Sequence, residues 1–129
     1  MATGIAGNTA RQNIDQEVHY LRFSVNFNDG GIAAGIGKQW LPAGAVIIGT
    51  DVVIDTPFNA ATTNVLTVGS NMPNDDNIVA AGDVDETAVG LTQNVKPTGA
   101  ALGALAAAVQ VFAKYVQTGA AASAGKAYV

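Results

Sequence analysis

A chain of 129 residues with six basic and ten acidic side chains, a formal charge of -4 and no cysteine has the size of one domain. The missing thiols exclude disulfide scaffolds, thiolate metal sites and cysteine nucleophiles, while leaving the redox compartment open. No cluster of Lys or Arg is present, so nucleic acid and anionic membrane are not expected as partners, since both require a basic footprint.

Charged residues make up 12% of the chain, about half the usual share, as on a surface covered by neighbours. No window approaches the ~20 apolar residues of a membrane-spanning helix. Residues 1–13 lack the basic start and apolar stretch of a secretory signal, so the chain is expected to be made in the cytoplasm and used without export.

The first 16 residues, MATGIAGNTARQNIDQ, follow neither the helical nor the strand period and predict an extended N-terminal arm that orders only when something holds it. From residue 17 to 129 the pattern predicts a single β domain. In EVHYLRFSVNF, Leu21, Phe23, Val25 and Phe27 alternate with Arg22, Ser24 and Asn26, which puts one strand face in a core. NDGG at 28–31 is a turn signal, and IAAGIGKQW predicts a weak, glycine-interrupted strand.

LPAGAVIIGTDVVID predicts a strand with Val46, Ile48, Val52 and Ile54 on one face and Thr50 between them, and TNVLTVGS at 63–70 predicts another. NMPNDDN at 71–77 is a loop, followed by short strand material broken at Gly82 and Gly90. At 102–116, Leu102, Leu105, Val109, Phe112 and Val116 recur at helical spacing, but VQVFAKYVQ also sets Val109, Val111, Ala113 and Tyr115 on one strand face. The strand is preferred because Gly99 and Gly103 weaken the first helical turns, and a wide hairpin through TGAAASAG into KAYV is expected. Several short strands punctuated by turns predict an all-β, antiparallel β-sandwich or jelly roll.

Catalytic groups are sparse. The single histidine, His19, alternates with Leu21 and Phe23 and is expected to be structural, and no serine lies in a G-x-S-x-G context. GAAASAGK has five residues between its glycines where a phosphate loop has four, and GIGKQW lacks the third glycine of a dinucleotide fingerprint. Neither an enzyme nor a cofactor is expected. Asp75, Asp76, Asp83, Asp85 and Glu86 match no calcium-loop spacing and are expected to form a solvated acidic loop. Trp40 is expected to anchor a core or sheet edge, with an interface hot spot as the alternative.

The segment LPAGAVIIGTDVVIDTPFNAATTNVLTVGS, followed by GDVD, resembles the capsid decoration or cement proteins of tailed bacteriophages, with a looser likeness in VFAKYVQTGAAASAGKAYV. The resemblance covers roughly half the chain, through packing motifs that carry no catalytic residues. It implies a virion protein on the capsid exterior that binds the major capsid protein, forms homodimers or homotrimers and bridges capsomers. A tail or head-tail connector component, or a free carbohydrate- or calcium-binding β-sandwich, is the alternative. Interface residues are expected in the arm (Ile5, Arg11, Ile14), at Trp40, Leu41 and Pro42, and in the 71–77 loop (Met72, Pro73).

Overall fold

The computed structural model describes residues 18–71 and 75–129. The expected arm, with Ile5, Arg11 and Ile14, and the loop residues Met72 and Pro73 lie outside the described residues.

The described residues form β1 (Ser24–Asn26), β2 (Ile36–Leu41), β3 (Thr50–Thr56), β4 (Thr63–Ser70), β5 (Gly90–Val95), β6 (Val109–Thr118) and β7 (Lys126–Tyr128). Their only helical element is a 3-10 turn at Gly99–Ala101. The fold is all-β, with two antiparallel sheets ordered β1-β7-β3-β5 and β2-β6-β4. Beside these ladders, Val68 on β4 forms an isolated bridge with Val79. Partners therefore nest inward along the chain: β1 with β7, β2 with β6, β3 with β5, and β4 with the segment at Val79.

One hydrophobic cluster draws on both sheets. Val25, Val52, Ile54 and Ala127 come from the four-stranded sheet, and Leu66, Val68, Val111, Ala113 and Tyr115 from the three-stranded one. The period-two patterns of β3 and β6 explain this directly: Val52 and Ile54 are buried while Asp51, Val53 and Asp55 face water, and Val111, Ala113 and Tyr115 are buried in turn. The helical alternative at 102–116 is thus excluded, because Leu102 is exposed and the strand begins at Val109.

Four expectations are corrected. The first strand is only Ser24–Asn26, because its partner β7 is equally short; Val25 is fully buried while Leu21 is exposed. The chain at 31–34 turns instead of extending, so β2 starts at Ile36. Val46 and Ile48 do not continue the inward face of β3: both are exposed, whereas Ile47 packs on the core. The cause is a change of phase near Gly49, since residues 44–46 are held by residues 104 and 105 and the β3–β5 register shifts between Thr50 and Val52.

Finally, β6 and β7 do not form a hairpin. They belong to different sheets, and the chain crosses between them through residues 119–125. Asn59 fastens that crossing: its Oδ1 accepts the Ser123 and Ala124 amides at 2.8 and 3.0 Å. At the end of the crossing, Gly125 has φ +154° and lies so close to the Phe58 ring that a Cβ would overlap it.

Candidate functional site

The exit of β2 leads to a groove of about 1690 Å³. Trp40 and Leu41 pair with Gln110 and Val109 on β6, which fixes their opposite directions. Leu41 packs against the core, while the Trp40 side chain is 62% exposed. Pro42 then opens a turn closed by the Ala45 amide donating to the Pro42 carbonyl, with Gly44 at φ +82° as this turn geometry requires.

The loop is pinned from below. The Gly44 amide donates to the Leu105 carbonyl at 2.7 Å, and the Leu105 amide donates to Ala45 at 2.9 Å. With its backbone held in this way, the loop turns Val46 and Ile48 outward, 59% and 62% exposed. Lys96 Nζ caps the Ile48 carbonyl at 3.1 Å.

The opposite wall comes from the chain before β1. Val18, Tyr20 and Leu21 line the groove and are exposed. The Gln39 amide ties this wall to β2 by donating to the Arg22 carbonyl at 2.8 Å, and its own carbonyl oxygen is buried without a partner among the described residues. The Arg22 guanidinium stacks over the Tyr128 ring at 4.7 Å. His19 is exposed and precedes β1, so the expected place in the first strand is corrected.

Of the acidic residues, Asp76, Asp83 and Asp85 are exposed as expected, while Asp75 and Glu86 depart from a solvated loop. Asp75 pairs with Lys114 at 2.6 Å, and Asp83 accepts the Ala80 amide. Asp85 accepts both the backbone and the hydroxyl of Thr87, bonds that hold its carboxyl below the ordinary value. Glu86 is buried, with Oε1 accepting the Leu66 amide at 2.8 Å. Among the described residues, no three His, Asp or Glu side chains converge on a point where they could hold a metal ion.

Of the interface residues expected from sequence, Trp40, Leu41 and Pro42 sit together at the groove, though Leu41 serves mainly the core. Sequence reading did not bring Val46, Ile48 and Tyr20 to this groove, where the structure leaves them exposed. Val46 and Ile48 carry the same β-branched signal as a buried strand, and only the pinned loop turns them outward. Comparison with protein-family models, curated proteins and solved structures finds no match.

Proposed function

We propose that this chain is a virion structural protein that binds the outside of a bacteriophage capsid and stabilises it by bridging capsomers. The observation that carries the reading is the apolar groove: Trp40, Val46 and Ile48 on one wall and Val18, Tyr20 and Leu21 on the other are left in water. Monomeric proteins seldom leave such side chains contiguous, and a patch of this kind favours a protein partner.

The strand order supports a jelly roll, a fold common in capsid proteins. A jelly roll is a long hairpin wound into two sheets, and the nested pairs β1–β7, β2–β6 and β3–β5 follow that plan. The Val68–Val79 bridge takes the place of the remaining strand. The low charge and the sequence resemblance agree with a covered module, and stabilisation by many symmetric copies needs only modest contact area from each. Fold alone does not assign function.

Co-sedimentation with phage heads stripped of minor proteins, followed by heating, tests the reading. Saturable binding at a fixed ratio to the major capsid protein, with raised heat resistance, is the expected result. Heads that neither bind the chain nor gain heat resistance overturn it.

A further inference from the structure

Val46, Ile47 and Ile48 are consecutive β-branched residues, so this segment has an apolar face in either phase. One phase points Val46 and Ile48 at the core, in line with Val52 and Ile54, and the other points Ile47 there. The structure holds the second: Ile47 packs on the core while Val46 and Ile48 stand in water and line the groove.

Strand pairing does not make this choice. Toward this end of β3 the last pair with β5 is Thr50 with Val95. In the same register Ile48 would fall opposite Pro97, which has no N–H to offer. The pairing stops there, and Lys96 Nζ takes the Ile48 carbonyl instead, at 3.1 Å.

The lysine is itself held, because Asn94 Oδ1 accepts its ammonium at 2.6 Å. Asn94 belongs to a β-bulge: between the pairs Thr50 with Val95 and Val52 with Thr92, β3 has Asp51 alone where β5 has both Gln93 and Asn94. Its backbone is left-handed, at φ +62°, a conformation that asparagine tolerates, and its amide donates to Asp51 Oδ1 at 2.7 Å. The side chain lies over Gly49, where a Cβ would overlap Asn94 Oδ1. Hydrogen bonds thus run from Asp51 through Asn94 and Lys96 to the Ile48 carbonyl, and the bare Gly49 leaves room for them. At the other end of the segment, Gly44 and Ala45 are tied to Leu105.

We propose that residues 46–48 form a two-phase segment, and that Asp51, Asn94 and Lys96 lock it in the outward phase. Bulges re-aim side chains beside functional sites, and this one acts through the lysine on the groove wall. With the lock released, Val46 and Ile48 turn toward the core, Ile47 turns out, and the groove loses the apolar face of that wall. This deepens the assembly reading by naming what controls the same groove, and rests on it only for the role of the groove.

The chain has no cysteine, so single introduced thiols report which positions face water. Ile47→Cys, Ile48→Cys and the buried control Val52→Cys are each reacted with an excess of a soluble disulfide reagent, in the parent chain and in Lys96→Met, Lys96→Arg and Asp51→Ala/Lys96→Met backgrounds. In the parent chain the thiol at 48 is expected to react at least about tenfold faster than those at 47 and 52. In the double variant the ratio of the rates at 48 and 47 is expected to fall by at least about tenfold, because two hydrogen bonds that select the phase are gone. The thiol at 52 stays protected. Lys96→Arg, which still donates, is expected to keep the parent ratio.

A ratio that keeps its parent value in the double variant overturns the proposal. So does a thiol at 47 that reacts as fast as the one at 48 in the parent chain. Should the thiol at 52 become reactive in the double variant, the sheet itself is lost, and Lys96→Met alone decides: a fall of at least about threefold is expected, and an unchanged ratio overturns the lock. No phage head enters the measurement, so the lock and the capsid role fail separately.

Discussion

Phe58 and Tyr115 meet with ring centroids 4.5 Å apart and planes tilted by 41°, joining the chain just after β3 to the middle of β6. Both are essentially buried, and the contact spans the two sheets. Gly125, where the chain enters β7, packs its bare Cα against the same Phe58 ring.

Phe58→Ala is expected to cost about 3–5 kcal/mol, because it opens a cavity that rigid strands fill only in part. Gly125→Ala is expected to cost about 1–3 kcal/mol by overlap with the ring, and to add strain because alanine rarely adopts φ +154°. In the Phe58→Ala background the second substitution should cost clearly less, since the atoms it strikes are gone. Urea unfolding of the four proteins in the cycle measures this.

Tyr115 should be hard to ionise. Burial pushes its phenol above the ordinary value of 10.0, and the nearby Glu86 charge pushes it in the same direction. Its hydroxyl also donates to Asn64 Oδ1 at 2.6 Å. A raised phenol favours the neutral form in the folded state, so its contribution is intact below pH 10.0 and is lost as pH rises through the folded value. Absorbance titration should show one tyrosine ionising only with alkaline unfolding, and Tyr115→Phe should remove that step. The same variant should lose about 1 kcal/mol at neutral pH with the hydrogen bond.

Asp29 sets the opposite limb. Burial raises its carboxyl, but hydrogen bonds from the Asn26 amide and side chain, together with Lys38 at 3.4 Å, outweigh this and hold it below the ordinary value of 3.8. A depressed carboxyl contributes stability above its unfolded value, and loses it as pH falls through the folded one. Asp29→Asn should therefore lower stability at neutral pH and flatten the loss below 3.8, as chemical unfolding across an acid pH series would show.

Trp40 separates binding from folding. With its side chain mostly in water, Trp40→Ala should change stability by no more than about 0.5 kcal/mol. On the capsid reading the same substitution should weaken head binding by about tenfold or more, as loss of an aromatic anchor does. Because Trp40 is the sole tryptophan, its emission should also shift to shorter wavelength when the parent binds heads.

The sequence by itself determined the all-β class and several strands, although its most regular alternation, at 21–27, became a strand only at Ser24–Asn26. Thr63–Ser70 was legible because alternation and β-branched content need no knowledge of distant neighbours, whereas Val109–Thr118 also carried a helical spacing and was only the preferred of two readings. The sequence also marked Trp40, Leu41 and Pro42 as a unit, through one aromatic residue beside turn chemistry.

What the tertiary structure decided is where those local signals are overruled. Val46 and Ile48 carry the same pattern as Val52 and Ile54, yet Leu105 holds the preceding loop and a register shift reverses their faces. KAYV looks like the return strand of a hairpin, but Asn59 ties the crossing so that β7 inserts between β1 and β3. Glu86 reads as one more solvated acid until its carboxylate meets the Leu66 amide. The β4 edge is covered by Val79 and Asn77, a pairing that no alternation in the 71–86 stretch announces. Local periodicity reports which residues prefer burial, and only the pairing of strands decides which of them find it.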